Sequence, residues 1–214
     1  MTADQQPDPV TLADIEAAHA RIADAVHDTP VLTSRLLDAH TGSTLFFKGE
    51  HLQRAGAFKA RGASNAVLGL PDDVAARGVA THSSGNHGAA LAMAAARRGI
   101  PAWIVMPENA PAVKRAAVAG YGATIVDCAP TLAAREETLA AVIEAHGAHV
   151  VHPYDDERVI AGQGTVALEL LRAVPDLDVI AAPVGGGGLL AGIAVAAKAM
   201  KPSLEVIGVE PAGA

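Results

Sequence analysis

Short apolar runs alternate along most of the chain with longer alanine-rich stretches whose apolar positions recur at helical spacing. The apolar runs lie at residues 45–48, 78–81, 103–106, 124–127, 150–152, 179–182 and 206–209. Ahead of them, residues 11–26 predict an amphipathic helix with Thr11 as its N-cap. Strands that are apolar throughout and separated by helices predict an α/β fold with two open, mostly parallel sheets flanked by helices.

Two segments rich in proline and acidic residues, 70–73 and 153–157, separate the middle of the chain from its two ends. Four strand-like runs lie between them, so we expect a small domain over residues 72–157, inserted into a larger domain made of residues 1–71 and 158–214. The last run ends close to Ala214 with no helix to cover it, which predicts a larger domain that is incomplete at its C-terminus.

Composition and charge narrow the class of partner. The 214 residues carry a formal net charge of -7 and no long basic cluster, so neither nucleic acid nor an anionic membrane is an expected partner. The single cysteine, Cys128, indicates a reducing compartment. The polar, acidic start does not resemble a signal peptide, and no apolar run is long enough to cross a bilayer. We expect a cytoplasmic protein.

Four consecutive glycines, residues 185–188, stand between a strand-like run and an apolar helix-like run. We call them the glycine loop. No side chain shields the backbone N–H groups there, and the helix that follows adds the positive end of its dipole. This arrangement is typical of a phosphate site.

Lys59 differs from the other four lysines in its surroundings, because residues 55–63 are mostly small or apolar and predict the start of a helix. Low polarity favours the free amine, which is the form of lysine that attacks a carbonyl. The alternative is a surface lysine whose stem lies along a helix. Lys48 lies in a strand-like run and is expected to point to solvent.

Residues 83–87, which we call the serine loop, follow another strand-like run where the chain should enter a helix. Their hydroxyl and amide groups suit a carboxylate, although an ordinary N-capping turn is an alternative. Open α/β sheets bind ligands at the carboxyl ends of their strands, so the two loops and Lys59 are expected to face one cleft. An aldehyde, a phosphate and a carboxylate together fit pyridoxal phosphate with an amino acid.

Four segments carry a resemblance to a known family. They are AFKARGA at 57–63, SSGNHG at 83–88, IAGQGT at 160–165 and VGGGGLLAG at 184–192. With these motifs the chain resembles the serine racemase and serine/threonine dehydratase family, from about residue 15 to its end. These are pyridoxal-phosphate enzymes of the tryptophan synthase β-like fold, also called fold type II.

The resemblance implies pyridoxal 5'-phosphate as the cofactor and assigns residues to it. Lys59 would form a Schiff base with the cofactor and act as a base on one face of the substrate carbon. Phe58 would pack on the cofactor ring, and Asn86 would bond its phenolic oxygen. The glycine loop, together with Leu189, would hold the phosphate.

The resemblance also assigns the serine loop to the carboxylate of a small amino-acid substrate. The residues concerned are Ser83, Ser84, Gly85, Asn86 and His87. Ser84 would stand on the face opposite Lys59. Removing a proton from one face and returning it to the other needs two groups. Ser84 therefore favours serine racemase or a related 3-hydroxyaspartate dehydratase over a simple dehydratase.

Further positions bear on specificity and on metal binding. In the racemase-like pattern an arginine near Arg135 reaches the substrate carboxylate, although a solvated helix residue is the favoured alternative. Tyr154 stands where the resemblance leads us to expect asparagine, which leaves side-chain specificity open. Glu210 and the carbonyl of Ala214 match two ligands of a divalent-cation site, for Mg or Mn, whose third ligand would follow the last residue. The resemblance also implies a homodimer.

The expected reaction is β-elimination or racemisation of serine, threonine or 3-hydroxyaspartate through the Lys59 Schiff base, and elimination yields a keto acid and ammonia. Two alternatives remain. Residues 186–191 also satisfy the G-x-G-x-x-A fingerprint of a nicotinamide oxidoreductase, with Glu210 as the acid that binds the ribose. The other alternative is a truncated chain that has this fold and lacks activity.

Overall fold

The computed structural model describes residues 9–213. Helices and strands alternate through this part of the chain, and the predicted α/β class is confirmed. In chain order the elements are α1 Leu12–Ile22, β1 Val31–Thr33, α2 Arg35–Thr41, β2 Phe46–Lys48, α3 Lys59–Leu68, α4 Asp72–Ala75, β3 Val79–His82, α5 Asn86–Arg98, β4 Ala102–Pro107, α6 Ala112–Gly120, β5 Thr124–Cys128, α7 Leu132–His146, β6 His149–Val150, α8 Glu157–Ala173, β7 Val179–Pro183, α9 Gly188–Met200 and β8 Glu205–Val209.

The first helix shows how the local sequence sets an element. The side chain of Thr11 accepts a hydrogen bond from the N–H of Asp14, and Asp14 accepts one from the N–H of Thr11, which is a complete capping box. Ile15 and Ile22 are fully buried on one face. The helix ends at Ile22 and not at residue 26, because Ala25 donates to the carbonyl of Ile22 in a tighter turn.

The four runs of the predicted small domain form one parallel sheet in the order β5-β4-β3-β6. Strand β4 is buried on both faces: Ile104 and Met106 pack in a core with α5, and Val105 packs in a core with α7. This double burial explains why the run is apolar throughout. The carboxyl ends of β3, β4 and β5 lie at the same edge of the sheet.

The remaining strands pair as two separate ladders. Strands β1 and β2 are antiparallel, and β7 and β8 are parallel, with α9 as the connection between them. The apolar pattern does not predict strand β1, which has three residues. Helices α8 and α9 approach closely where Gly192 faces Gly164. No side chain would fit there, since a Cβ on Gly192 would lie 2.6 Å from the Gly164 nitrogen.

The prediction that Lys48 points to solvent is wrong. Its side chain is only 6% exposed, and its Nζ lies 3.0 Å from Asp28 and 2.6 Å from Glu169. Arg61 is fully buried beside it and pairs with Glu50 and Glu169. Burial opposes the charge on Arg61, but the hydrogen bonds of the two carboxylates prevail and raise its pKa. This network ties the first turn of α3, where Lys59 lies, to α8.

The core of the four-stranded sheet also takes in Ala66, Val67 and Val159, which lie outside residues 72–157. The domain boundaries therefore stay a prediction.

No helix within residues 9–213 combines the length and the apolar character that a membrane span requires.

Candidate active site

Lys59 is the first residue of α3, directly after Phe58. Its Nζ donates a hydrogen bond to the carbonyl oxygen of Pro153 at 2.5 Å and lies 5.3 Å from the centre of the Phe58 ring. Burial lowers the pKa of Lys59. The position at a helix start and the bias toward the free amine both agree with what the sequence around Lys59 predicts.

The glycine loop joins β7 to α9 in the predicted manner. Gly187 is the N-cap of α9 and has φ 88°, a left-handed conformation that favours glycine. No side chain within residues 9–213 caps this helix. The first N–H groups of α9 therefore do not donate to a capping side chain. An anion site at a helix N-terminus requires such free N–H groups. Leu189 and Phe58 both line an apolar cavity of about 360 Å³ between β2 and β7.

Tyr154 connects Lys59 to the glycine loop, and the sequence analysis missed this contact. A Cβ on Gly186 would overlap the Cγ, Cδ1 and Cε1 atoms of the Tyr154 ring. A Cβ on Gly188 would lie 2.8 Å from the Tyr154 carbonyl oxygen and 2.9 Å from its Cα. Because Pro153 holds the lysine amine, the dipeptide 153–154 brings Lys59 and the glycine loop into one place.

The serine loop begins where β3 ends. Ser83 donates its N–H to Val105, and its Oγ accepts hydrogen bonds from the N–H groups of Gly85 at 3.3 Å and Gly88 at 3.2 Å. The Ser83 oxygen is thus engaged within the turn that leads into α5, as the alternative of an N-capping turn predicts. Ser84 is half-buried and Asn86 is exposed, so their side chains are the open ones of this loop.

His87 lies in the interior, not in the open part of the serine loop. Its side chain is buried, and its Nε2–H donates to the carbonyl oxygen of Val151 at 3.0 Å. Burial lowers the pKa of His87 to about 4, so the ring is neutral at pH 7. We therefore assign any contact of His87 with a substrate carboxylate to its backbone N–H.

His152 supports the segment that holds the lysine. Its Nδ1 accepts hydrogen bonds from the N–H groups of Tyr154 at 3.4 Å and Asp155 at 2.8 Å. The His152 ring meets the Tyr154 ring edge to face, with centroids 4.5 Å apart. Burial lowers the pKa of His152, which keeps the ring in the neutral form that can accept these bonds.

The outlying candidate residues differ in their surroundings. Arg135 lies in the first turn of α7 and is half-buried, with its Nε enclosed and unpartnered among residues 9–213. The substrate contact and the favoured alternative of a solvated residue both stay predictions, because the rest of the half-buried side chain is not enclosed. Glu210 follows β8 and is exposed, and Ala214 lies outside the described residues. Within residues 9–213 no three histidine, cysteine or acidic side chains form a group that could hold a metal.

Taken alone, the unit β7–α9–β8 fits either of the two sites expected from the sequence, a pyridoxal-phosphate site or a nicotinamide dinucleotide site. Its strands are parallel, and Val184 donates to Val209 directly before Glu210. This local geometry is the part of a nicotinamide site that binds the pyrophosphate and the ribose. That alternative leaves the contact of Lys59 with Pro153 unexplained.

Comparison with known proteins decides between the pyridoxal-phosphate site and the nicotinamide site. A sequence profile of the family described as pyridoxal-phosphate dependent enzyme matches residues 22–214. The chain belongs to the pyridoxal-phosphate dependent enzymes. Over 208 residues it is 51% identical to the serine racemase of Homo sapiens, a match that covers 96% of this chain and 61% of that protein. It is also 51% identical over 201 residues to the beta-hydroxyaspartate dehydratase of Paracoccus denitrificans, covering 94% of this chain and 64% of that protein.

Among solved structures, maize serine racemase matches this pyridoxal-phosphate enzyme chain with a TM-score of 0.95 and 50% identity. That match covers 97% of this chain and 63% of the maize chain. The fold type II architecture implied by the resemblance is confirmed. The chain spans less than two thirds of the length of these relatives.

Proposed function

We propose that the protein catalyses pyridoxal-phosphate-dependent β-elimination and racemisation of serine, threonine or 3-hydroxyaspartate. The observation that carries this proposal is the position of the Lys59 amine. It is half-buried, has a pKa lowered by burial, and donates to the Pro153 carbonyl, one residue from the tyrosine that packs on the glycine loop. A reactive amine beside a phosphate-binding helix N-terminus suits an aldehyde that carries a phosphate.

The residues present fit pyridoxal phosphate. The N–H groups of the glycine loop and the positive end of α9 would hold its phosphate, with Leu189 beside them. Lys59 would bind its aldehyde carbon, Phe58 would pack on its ring and Asn86 would donate to its phenolic oxygen. When bound, the cofactor supplies an electron sink that stabilises negative charge on the substrate Cα.

The protein side chains then move the protons. Once the substrate amine has displaced Lys59 from the aldehyde, the free Lys59 amine would take the Cα proton on one face, and its lowered pKa increases the share of free amine. In elimination the β-hydroxyl would leave together with a proton as water, and hydrolysis of the product would release a keto acid and ammonia. In racemisation the Ser84 hydroxyl returns a proton on the opposite face.

The serine loop would orient the substrate by its carboxylate. Its backbone N–H groups at Asn86 and His87 lie at the N-terminus of α5 and favour an anion. The hydroxyls of Ser83 and Ser84 can also donate to that anion. Arg135 is a further candidate, because its enclosed Nε has no partner among the described residues.

Incubation with L-serine, D-serine, L-threonine and 3-hydroxyaspartate tests this function, with keto acid and enantiomer followed together. We expect product from at least one hydroxy amino acid in the presence of pyridoxal phosphate. Lys59→Ala should lower turnover by at least ~10³-fold, as loss of a covalent catalytic group does. Lys114→Ala, at an exposed lysine of α6, is the matched control and should behave as the wild type.

Other results would point to the alternatives. A visible absorption band with pyridoxal phosphate but no product from any substrate would support the inactive chain. Reduction of NAD with no such band would support the nicotinamide oxidoreductase. Equal losses in Lys59→Ala and Lys114→Ala would contradict the role of Lys59.

Metal binding, assembly and location complete the proposal. We include a Mg or Mn ion at Glu210 and the Ala214 carbonyl on the resemblance alone. The described residues do not form a complete site, and no step of the reaction is assigned to the ion. Homodimeric assembly is supported by exposed apolar side chains on β1, α2 and β2, such as Leu32, Leu36 and Phe47. A cytoplasmic location rests on composition.

Sedimentation analysis with and without MnCl₂ tests assembly and metal binding together. We expect a dimer, and Leu36→Glu should weaken it. Glu210→Gln should remove any effect of manganese, and a wild-type response to manganese in that variant would contradict the cation assignment.

A further inference from the structure

The segment of residues 152–154 contacts both parts of the candidate active site. The carbonyl oxygen of Pro153 accepts the hydrogen bond from Lys59. The next residue, Tyr154, lays its ring on Gly186 and its main chain on Gly188. His152 contacts the Tyr154 ring edge to face, and its Nδ1 accepts a hydrogen bond from the main-chain N–H of Tyr154.

The four glycines of the loop do not face the same surroundings. Gly186 and Gly188 face Tyr154, so neither has room for a side chain. A Cβ on Gly185 or Gly187 would meet no heavy atom within 4 Å. The alternation shows that one side of the loop is packed and the other is open. The open side is where a phosphate can approach the N–H groups.

A run of four glycines has a large conformational entropy, because each residue can adopt positive and negative φ with similar ease. Such a loop binds an anion well only when something outside it selects the right conformation. Within residues 9–213 no side chain caps α9, so a cap does not make this selection. The Tyr154 ring packs directly on the loop at Gly186.

We propose that Tyr154 is a positioning residue: its ring fixes the conformation of the glycine loop for a phosphate and sets the loop relative to Lys59. This inference rests on the proposed function. It assigns the effect to the ring face and not to the hydroxyl, because the contacts with Gly186 come from ring carbons. It also predicts that Tyr154 matters for the phosphate of the cofactor and not for its aldehyde.

The experiment titrates the protein with pyridoxal phosphate and, separately, with pyridoxal, which has the same aldehyde and lacks the phosphate. Binding is followed by the visible absorption band and by dialysis. For Tyr154→Ala we expect the Kd of pyridoxal phosphate to rise about tenfold, which corresponds to ~1.4 kcal/mol of loop ordering. The Kd of pyridoxal should change less than about twofold, and Tyr154→Phe should match the wild type.

A second set of variants tests whether the ring acts through Gly186. Gly186→Ala should weaken pyridoxal-phosphate binding at least as much as Tyr154→Ala, because the added methyl group overlaps the ring. In the double variant the obstacle is gone, so binding should be no weaker than in Tyr154→Ala alone. Circular dichroism and thermal unfolding of each variant show whether it is folded.

Three results would overturn the inference. They are unchanged binding of pyridoxal phosphate in Tyr154→Ala, an equal loss of pyridoxal and pyridoxal phosphate, and fully additive losses in the double variant. If the wild type gives no band with either compound, the proposed function itself fails, and this inference fails with it.

Discussion

The serine loop and the glycine loop are built to the same plan and stabilised in different ways. Each leads from a parallel strand into the N-terminus of a helix. In the serine loop a side chain closes the turn, because the Ser83 Oγ accepts the N–H groups of Gly85 and Gly88. The glycine loop has no capping side chain among the described residues and packs against Tyr154 instead. One loop is stabilised from within its own sequence and the other by a distant segment.

The strands behind the two loops also differ in how far they are buried. Strand β4, beside the serine loop, is buried on both faces. Strands β7 and β8, behind the glycine loop, leave Val179 43% exposed and Val209 54% exposed. The loop without a capping side chain therefore lies on the less enclosed ladder. We expect substitutions in other parts of the protein to disturb the conformation of the serine loop less than that of the glycine loop.

Replacing Ser84 by alanine tests the chemical contribution of the serine loop, and among changes to the two loops we expect the largest effect here. Racemisation should fall by about 10²-fold or more, the range for loss of a general acid, whereas elimination stays within a few-fold of the wild type. Ser43→Ala, at an exposed serine, is the control. Racemisation and elimination are measured in the same reaction. Racemisation at the wild-type rate in Ser84→Ala would refute the assignment of the two faces.

Lowering the pH tests the buried part of the serine loop. The folded state keeps His87 neutral, since burial lowers its pKa from 6.5 to about 4. The unfolded chain therefore binds more protons between these values, and stability falls as the pH falls from 6.5 to 4. The shift corresponds to about 3 kcal/mol.

Urea unfolding at pH 7 and pH 4 measures this loss. His87→Gln cannot be protonated but keeps a donor for the Val151 carbonyl, so its loss should be smaller than that of the wild type. Other histidines with lowered pKa values titrate in both proteins, and only the difference is assigned to His87. The exposed His40 supplies the control variant His40→Gln. Identical losses in wild type and His87→Gln would show that His87 is protonated freely in the folded state.

A matched pair of glycine substitutions tests how tightly the serine loop is closed. A Cβ on Gly88 would lie 2.7 Å from the backbone oxygen of Ser83 and 2.9 Å from Ile104. Gly88→Ala should therefore reduce the free energy of unfolding by about 1–3 kcal/mol. A Cβ on Gly85 meets nothing within 4 Å, so Gly85→Ala should cost less, about 1 kcal/mol at most for a poorer N-cap. Denaturant unfolding decides, and equal costs would contradict the packing described.

The smallest effect is expected on the open side of the glycine loop. Gly185→Ala places a methyl group in open space at a residue that does not have a positive φ. The free energy of unfolding should change by no more than about 0.5 kcal/mol, or rise slightly because the unfolded chain loses freedom. Thermal unfolding of Gly185→Ala beside Gly186→Ala gives the comparison. If Gly185→Ala is the less stable of the two, the assignment of packed and open sides is wrong.

Several elements could be predicted because their cause is local. The capping box of Thr11 and Asp14 and the left-handed Gly99 at the end of α5 depend on residues that are neighbours in the sequence. The exact place of β6 could not be predicted. The run 150–152 indicates a strand there, but pairing with β3 selects His149–Val150. Which residues of a short run enter the ladder depends on the neighbouring strand.

Charged and polar side chains were harder to place than strands. From its place in a strand-like run, Lys48 is expected to point to solvent. It is buried because Asp28 and Glu169, 20 residues before it and 121 residues after it in the sequence, converge on its amine. Pairing over such separations leaves no periodic signal in the sequence.

The sequence alone determined the parallel β–α order, the small apolar surroundings of Lys59 and the bare amides of residues 185–188, because each depends on residue types that stand side by side. The tertiary structure decided how these parts meet. Pro153 is 94 residues from the amine that it holds, and Tyr154 reaches the glycine loop only because α8 folds back along α9. Such contacts depend on the packing of whole elements, which local propensity and spacing do not specify.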